Sequence, residues 1–379
     1  MQHRSIPPLA VPSNVPDLEL LQSIVVIRHG SRTPWAPYEQ PCWDGYQEDW
    51  DCDLTTITGP NPLTSSESSS EGDIQNLFVF EKIYDGLKGP LANELGGTCQ
   101  KGQLLQSGYD QEVTNGMFLR DAYVRVEDEV QSRSDVSNVD GKLFDSVKWE
   151  EAKTYDDFIY FRSDDEQRTL LSGQALLSGM FDISENVIVK LHTADYKNDI
   201  LDPNPTSCPR LDYLEDVAKN SAAYSELGAN ELAIDMENIL AKINGDADIM
   251  LDCIMTSICN DLDLPSALDD FTTSDEESTF SRMEQYWNNM NTYDFIHDDG
   301  AYSKLAMGPL WSDIKDVLMR VMSVQSRADM ETMEIPKLYL ISAHDTTILP
   351  ILVSLDIWDH VFPPYASMIV IEVWLFYLV

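Results

Sequence analysis

Two guanidiniums and an imidazole are packed into one short stretch, Ile24–Pro34, which reads IVVIRHGSRTP and contains Arg28, His29 and Arg32. Guanidinium forks match phosphate oxygens two at a time. An imidazole nitrogen can attack phosphorus and form a phosphohistidine. A second chemical stretch, SAHDTT at Ser342–Thr347, supplies His344 and Asp345 more than three hundred residues later. Arg162 ends a third short stretch, FIYFR. Arg28, Arg32, Arg162 and His344 together suit a tetrahedral phosphate dianion. His29 is then the nucleophile, and Asp345 gives a proton to the leaving alkoxide before acting as base towards water. A carboxylic acid among cations ionises early, so the acid role fits an acidic pH optimum. The arginines supply the positive charge that a metal would otherwise bring, so neither a metal nor a cofactor is expected.

These groups need elements that aim them at one place. Ile24–Ile27 is a short β-branched run that punctuating residues, Gly30 and Pro34, bring to an end, which reads as a buried strand. Asp157–Arg162 and Lys337–Ser342 read the same way, as do Asn186–His192 and Ser367–Phe376. Helical spacing appears at Leu105, Tyr109, Val113 and Met117, with Ser107 as the expected cap, and again over Glu166–Met180, Tyr302–Met322 and Thr346–Leu355. Strands alternating with helices predict an α/β fold, a mostly parallel sheet flanked by helices on both faces. Parallel strands end on the same side, where open α/β sheets place their ligand crevices. Residues 205–300 break the alternation with long helical patterns such as Leu211–Asn244, and are expected to form a smaller inserted helical cap. The expected core is 18–204 with 301–379, carrying an irregular insertion at 35–95 that includes the polar tract LTSSESSSEGD.

The charge balance narrows the partners. With 65 Asp and Glu against 25 Lys and Arg, the formal net charge is −40, so nucleic acid and anionic membranes are poor partners. The acidity reads first as a solvated surface, and alternatively as adaptation to acid or salt. The apolar C-terminal run MIVIEVWLFYLV is shorter than the roughly 20 residues of a spanning helix and is interrupted by Glu372, so no stable membrane span is expected. The N-terminal stretch has no apolar signal core.

Six cysteines, Cys42, Cys52, Cys99, Cys208, Cys253 and Cys259, are compatible with disulfides of open pairing. No CxxC occurs, which disfavours zinc. Cys42, Cys52 and Cys99 are candidates to staple the insertion, whereas Cys253 and Cys259 read as buried thiols. Trp35, Trp43 and Trp50 form either a substrate platform or, the preferred reading, packing for the inserted loop. His192 and His297 read as structural or surface residues, and Asp298–Asp299 as a solvated face.

RHGSRTP at 28–34, Arg162-Ser163 followed by Arg168-Thr169, SAHDTT at 342–347 and PPYAS at 363–367 resemble the histidine acid phosphatase branch of the histidine phosphatase superfamily. GQLLQSGYDQEVTNGMFLRDAYV at 102–124 is similar to that family's first long helix. Position by position, the resemblance implies His29 as nucleophile, Arg28, Arg32, Arg162 and His344 as phosphate ligands, and Asp345 as proton donor. It also implies a small phosphomonoester substrate and a secreted or lysosome-like location, with an inositol-phosphate, phytase-like activity as the alternative substrate class. A phosphate site kept only for binding is the competing non-enzymatic reading. The chain departs from the family in its long 35–95 insertion and in stopping soon after PPYAS. Oligomeric state is not legible.

Overall fold

Alternating side chains on two buried strands organise the molecule. The structure, a computed structural model, describes residues 18–35, 95–125, 139–145, 158–181, 189–241, 247–264 and 279–376, with short pieces at 42–43, 46, 49–52, 57–58, 81–82 and 268. The central sheet contains β1 (Leu18–Arg28), β2 (Ile159–Ser163), β3 (Leu191–His192), β4 (Leu338–Ala343) and β5 (Met368–Phe376). Their spatial order is β3–β2–β4–β1–β5, and Val139–Asp140 pairs with the start of β1. All ladders are parallel except that between β1 and β5.

The period of two sends neighbouring side chains to opposite faces. Val25, Ile27, Leu338 and Leu340 face one layer, and Ile24, Val26, Tyr339 and Ile341 face the other. Helices α1 (Gln106–Tyr123) and α2 (Gln167–Met180) cover the first face through Leu119, Tyr123, Leu176 and Met180. The second face meets a later set of helices: α8 (Tyr293–Ala306), α9 (Gly308–Val321) and α11 (Asp345–Ser354) pack there through Tyr302, Leu310 and Ile348. Truncating a fully buried Leu at this centre, such as Leu340, costs roughly 2–5 kcal/mol. The fold is therefore a mixed, mostly parallel α/β sheet with helices on both faces.

The segment between contributes α3 (Arg210–Lys219), α4 (Ala222–Leu227), α5 (Glu231–Leu240), α6 (Ala247–Cys259) and α7 (Thr279–Asn291). What reads as one long pattern over Leu211–Asn244 is three helices. The breaks are capping sites: the Ser221 hydroxyl accepts from the Tyr224 N–H at 3.1 Å, and the Asn230 amide oxygen accepts from the Ala233 N–H at 2.8 Å. Met236, Ile254 and Met283 share an apolar cluster with Cys42, Trp43 and Cys253. A short helix, α10 (Arg327–Thr332), precedes β4. Among the described residues no helix is long and apolar enough to cross a membrane.

Several expectations change. The strand expected at Asn186–His192 is a strand only at Leu191–His192, and residues 186–188 lie outside the described residues. Ser107 does not cap α1. It sits inside the first turn, after Leu105 at the cap position, and its hydroxyl donates to the Asn260 amide oxygen at 2.9 Å. Cys253 is not a thiol but pairs with Cys42, and Cys52 pairs with Cys99, whereas Cys208 and Cys259 are unpaired. Trp43 and Trp50 are buried as packing, but Trp35 is half exposed. The polar tract at 63–73 and most of 35–95 lie outside the described residues.

Candidate active site

The parallel register sets the site. Arg28 stands opposite Ala343, and Ser342 opposite Ser163, so three strands end level. The residues that follow, His29, Asp164 and His344, leave the sheet together. The His29 backbone is held from both neighbours: its N–H donates to the Ala343 carbonyl at 2.9 Å, and its carbonyl accepts from the Ala366 N–H at 3.1 Å. Beyond it, the Gly30 N–H donates to the Ser172 hydroxyl at 3.0 Å and the Ser31 N–H to the Gln111 amide oxygen at 2.9 Å. Gly30 lies against Gly108 of α1 so closely that a Cβ on it would sit 2.2 Å from the Gly108 carbonyl oxygen. Two glycines thus let the helix press directly on the loop that carries the imidazole.

His29 is buried, and its Nδ1 lies 2.8 Å from the Gly30 carbonyl. A carbonyl only accepts, so Nδ1 carries the hydrogen and Nε2 keeps its lone pair. Burial, then the charges of Arg168, Arg28, His344 and Arg32, hold the His29 pKa well below the ordinary 6.5. The imidazole is therefore neutral even in mild acid.

His344 behaves in the opposite way. Burial alone would lower its pKa, but Asp202 and Asp164 reverse this and push it up to about 9. Its Nε2 donates to the Asp164 carboxylate at 2.7 Å. The two histidine rings meet edge-on, 5.4 Å between centroids. One histidine is thus neutral and its neighbour a fixed cation.

Every cation here has a carboxylate behind it. Arg28 Nη2 lies 2.6 Å from Asp345 Oδ2, Arg168 pairs with Glu166, and His344 pairs with Asp164. Arg32 is gripped end-on by Asp252 of α6, with Nη1 to Oδ2 at 3.2 Å and Nη2 to Oδ1 at 3.0 Å. The Nε–H groups of Arg28 and Arg168 are buried without a protein acceptor. Such donors are where an oxyanion gains most, since leaving them unmatched is costly. Arg28 also stacks on Tyr365, 4.3 Å from the ring centroid, and Arg168 lies over Trp35 at 5.2 Å. Burial works to raise the Asp345 pKa, but Arg28, His344 and Arg32 together bring it below the ordinary carboxylate value. Asp164, Glu166 and His344 offer ligand atoms within 4.8 Å of one another, the spacing of a metal site, yet here Asp164 pairs with the His344 cation and Glu166 with Arg168.

The structure thus brings Arg28, His29, Arg32, His344 and Asp345 together. It does not bring Arg162. That side chain leaves β2 towards α9 and pairs with Asp313, 3.1 Å away. The strand alternation explains this, because Arg162 and the buried Ser163 point to opposite faces. The third guanidinium of the cluster is Arg168, in the first turn of α2. A cation there opposes the helix dipole, and that mismatch is the sequence signal for a non-structural role. The contributions of Asp164 and Asp252 carry no comparable signal.

A family model described as histidine phosphatase superfamily, branch 2, matches residues 19–375. Human lysophosphatidic acid phosphatase type 6 is 25% identical over 364 residues, covering 94% of this chain and 74% of that protein. Human lysosomal acid phosphatase is 26% identical over 237 residues, covering 57% of this chain and 51% of its own length. Among solved structures, apo Hafnia alvei phytase superposes with a TM-score of 0.55 at 14% identity, covering 96% of this chain and 82% of that one, a likeness of fold alone. The chain belongs to branch 2 of the histidine phosphatase superfamily.

Proposed function

We propose that this histidine phosphatase hydrolyses phosphate monoesters through a phosphohistidine on His29, without a metal, and best at acidic pH. The observation that carries the reading is the Nδ1 contact of His29 with the Gly30 carbonyl, which leaves a neutral Nε2 lone pair facing a ring of cations. Arg28, Arg32, Arg168 and His344 bind the phosphate, with Arg168 in the place expected for Arg162.

The steps follow from the groups present. Nε2 of His29 attacks phosphorus, a P–N bond forms and the ester P–O bond breaks. The leaving alkoxide takes a proton from Asp345. Asp345 is ionised beside Arg28 in the free protein, but an arriving dianion neutralises that cation and adds negative charge, which raises the carboxyl pKa. External acid supplies the proton. Water then gives a proton to the Asp345 carboxylate and attacks phosphorus, and the P–N bond breaks to release phosphate. The four cations provide the charge stabilisation that a metal otherwise gives.

The helices of 205–300 act as a cap over this site, reached through Asp252 and Asn260. Two disulfides fit an oxidising compartment, so we place the protein in a secreted or lysosome-like setting. Hydrolysis of p-nitrophenyl phosphate and lysophosphatidic acid across pH 4–8, with and without EDTA, tests the reading. Turnover that peaks in acid and ignores EDTA is expected; loss of activity on chelation would overturn the metal-free mechanism.

A further inference from the structure

We propose that Asp252 is the specificity-determining residue of the cap: its carboxylate fixes Arg32 and places a negative charge beside the phosphate site, favouring esters of a single phosphate over esters crowded with neighbouring phosphates. The proposal rests on the phosphomonoesterase reading above and names its substrate class.

Asp252 is a built feature of the site. Besides its two contacts to Arg32, its Oδ2 accepts the Trp35 N–H at 2.6 Å. The carboxylate cannot easily swing aside, because α6 is tied down at its middle and just past its C-terminal end. Cys253, the next residue, is disulfide-bonded to Cys42. After the last turn Asn260 bonds the hydroxyls of Ser31, two residues beyond His29, and of Ser107 on α1. The helix therefore lies across the nucleophile loop with Asp252 aimed at its second arginine.

Asp252 is paired with a site cation as its neighbours are, but it differs from them in where it comes from. Glu166 and Asp164 are spent on Arg168 and His344 within the core, and Asp345 carries a proton when it acts as acid. Asp252 comes from the cap and takes no part in proton transfer. A phosphate bound at Arg32 sits beside it, and any second phosphate on the same alcohol adds to the repulsion in a medium less polar than water. The described cap cations are engaged elsewhere. Among the described residues of 205–300, Arg210 stacks on Tyr213, Lys219 pairs with Glu215, and Arg282 pairs with Asp235. Specificity here is exclusion of a wrong partner as much as attraction of the right one.

Calorimetric titration separates this from catalysis. The His29→Ala chain, which retains the cations, is titrated at pH 6 with inorganic phosphate and with myo-inositol hexakisphosphate, alone and combined with Asp252→Asn, Asp252→Ser or Asp252→Glu. The neutral Asn and Ser variants are expected to raise hexakisphosphate affinity about tenfold relative to phosphate, roughly 1.4 kcal/mol. The charge-keeping Glu variant is expected to leave the ratio unchanged. An unchanged ratio in both neutral variants, or an equal weakening of both ligands, would overturn the proposal by reducing Asp252 to a structural prop. Turnover of p-nitrophenyl phosphate by the unaltered chain scores the phosphatase reading independently.

Discussion

His344 and Asp164 meet at 2.7 Å with both side chains buried, and this pair, with Asp202, makes His344 a cation at neutral pH. The folded pKa, about 9, lies above the ordinary 6.5. The stabilisation is therefore complete below pH 6.5 and is lost as pH rises through about 9. Asp164→Asn should remove the hydrogen-bonded share of it and leave that of Asp202, at a cost of about 3–5 kcal/mol for breaking a buried pair. Melting temperatures measured from pH 6 to 10 should fall through pH 9 in the unaltered chain and much less in the variant. Phosphate affinity should also drop in the variant, most near pH 7 and least near pH 5, where the imidazole protonates unaided.

Arg162 and Arg168 make opposite predictions. Arg168 lies among the charges that bear on His29, so Arg168→Ala should lower kcat/KM by roughly 10²–10³, the usual loss of a charge-stabilising donor. Arg162 is paired with an exposed Asp313, an interaction worth about 0–1 kcal/mol. Arg162→Ala should change kcat/KM by less than about fivefold. Steady-state kinetics on the two variants decides, and the reverse ranking would return the phosphate role to Arg162.

That contrast shows what was legible before the structure. Strand ends were readable because apolar β-branched runs stop abruptly at Arg28, Arg162 and Ala343. His29, Arg28, His344 and Asp345 sit on the last position of a strand or just past it, so their convergence follows from parallel register. Arg162 also ends an apolar run, but period-two alternation turns it away, and sequence cannot assign the face of a strand buried on both sides. Arg168 is delivered by a helix start, where orientation depends on how α2 packs. Asp252 was least legible, because an acidic residue in an acidic cap looks like a solvated one. Its partner is 220 positions away. A separation of 211 positions hid the Cys42–Cys253 pair in the same way.

Asp345 should matter in proportion to leaving-group basicity. Asp345→Asn is expected to slow alkyl phosphates by roughly 10²–10⁴, the range for a general acid, while slowing p-nitrophenyl phosphate far less. A panel of aryl and alkyl monoesters checks this, and equal slowing throughout would remove the proton-donor role.

The contact of Gly30 with Gly108 predicts a structural defect with catalytic consequences. A methyl at Gly108 would sit 2.2 Å from the Ser31 carbonyl oxygen. Gly108→Ala should destabilise the fold by about 1–3 kcal/mol, as overpacking does, and displace the His29 loop. Thermal unfolding together with kcat reads both effects; an unchanged melting temperature would mean that α1 retreats without strain.

Phosphoenzyme trapped by a quench in alkaline detergent tests the central claim most directly. The chain is mixed with ³²P-labelled monoester for milliseconds, quenched, and digested. Label that is stable in alkali and labile in acid should appear on the peptide containing Arg28–Arg32, at His29, and should be absent from His29→Ala along with turnover. Full turnover by His29→Ala, or rapid hydrolysis in the unaltered chain with label at no histidine, would contradict the account.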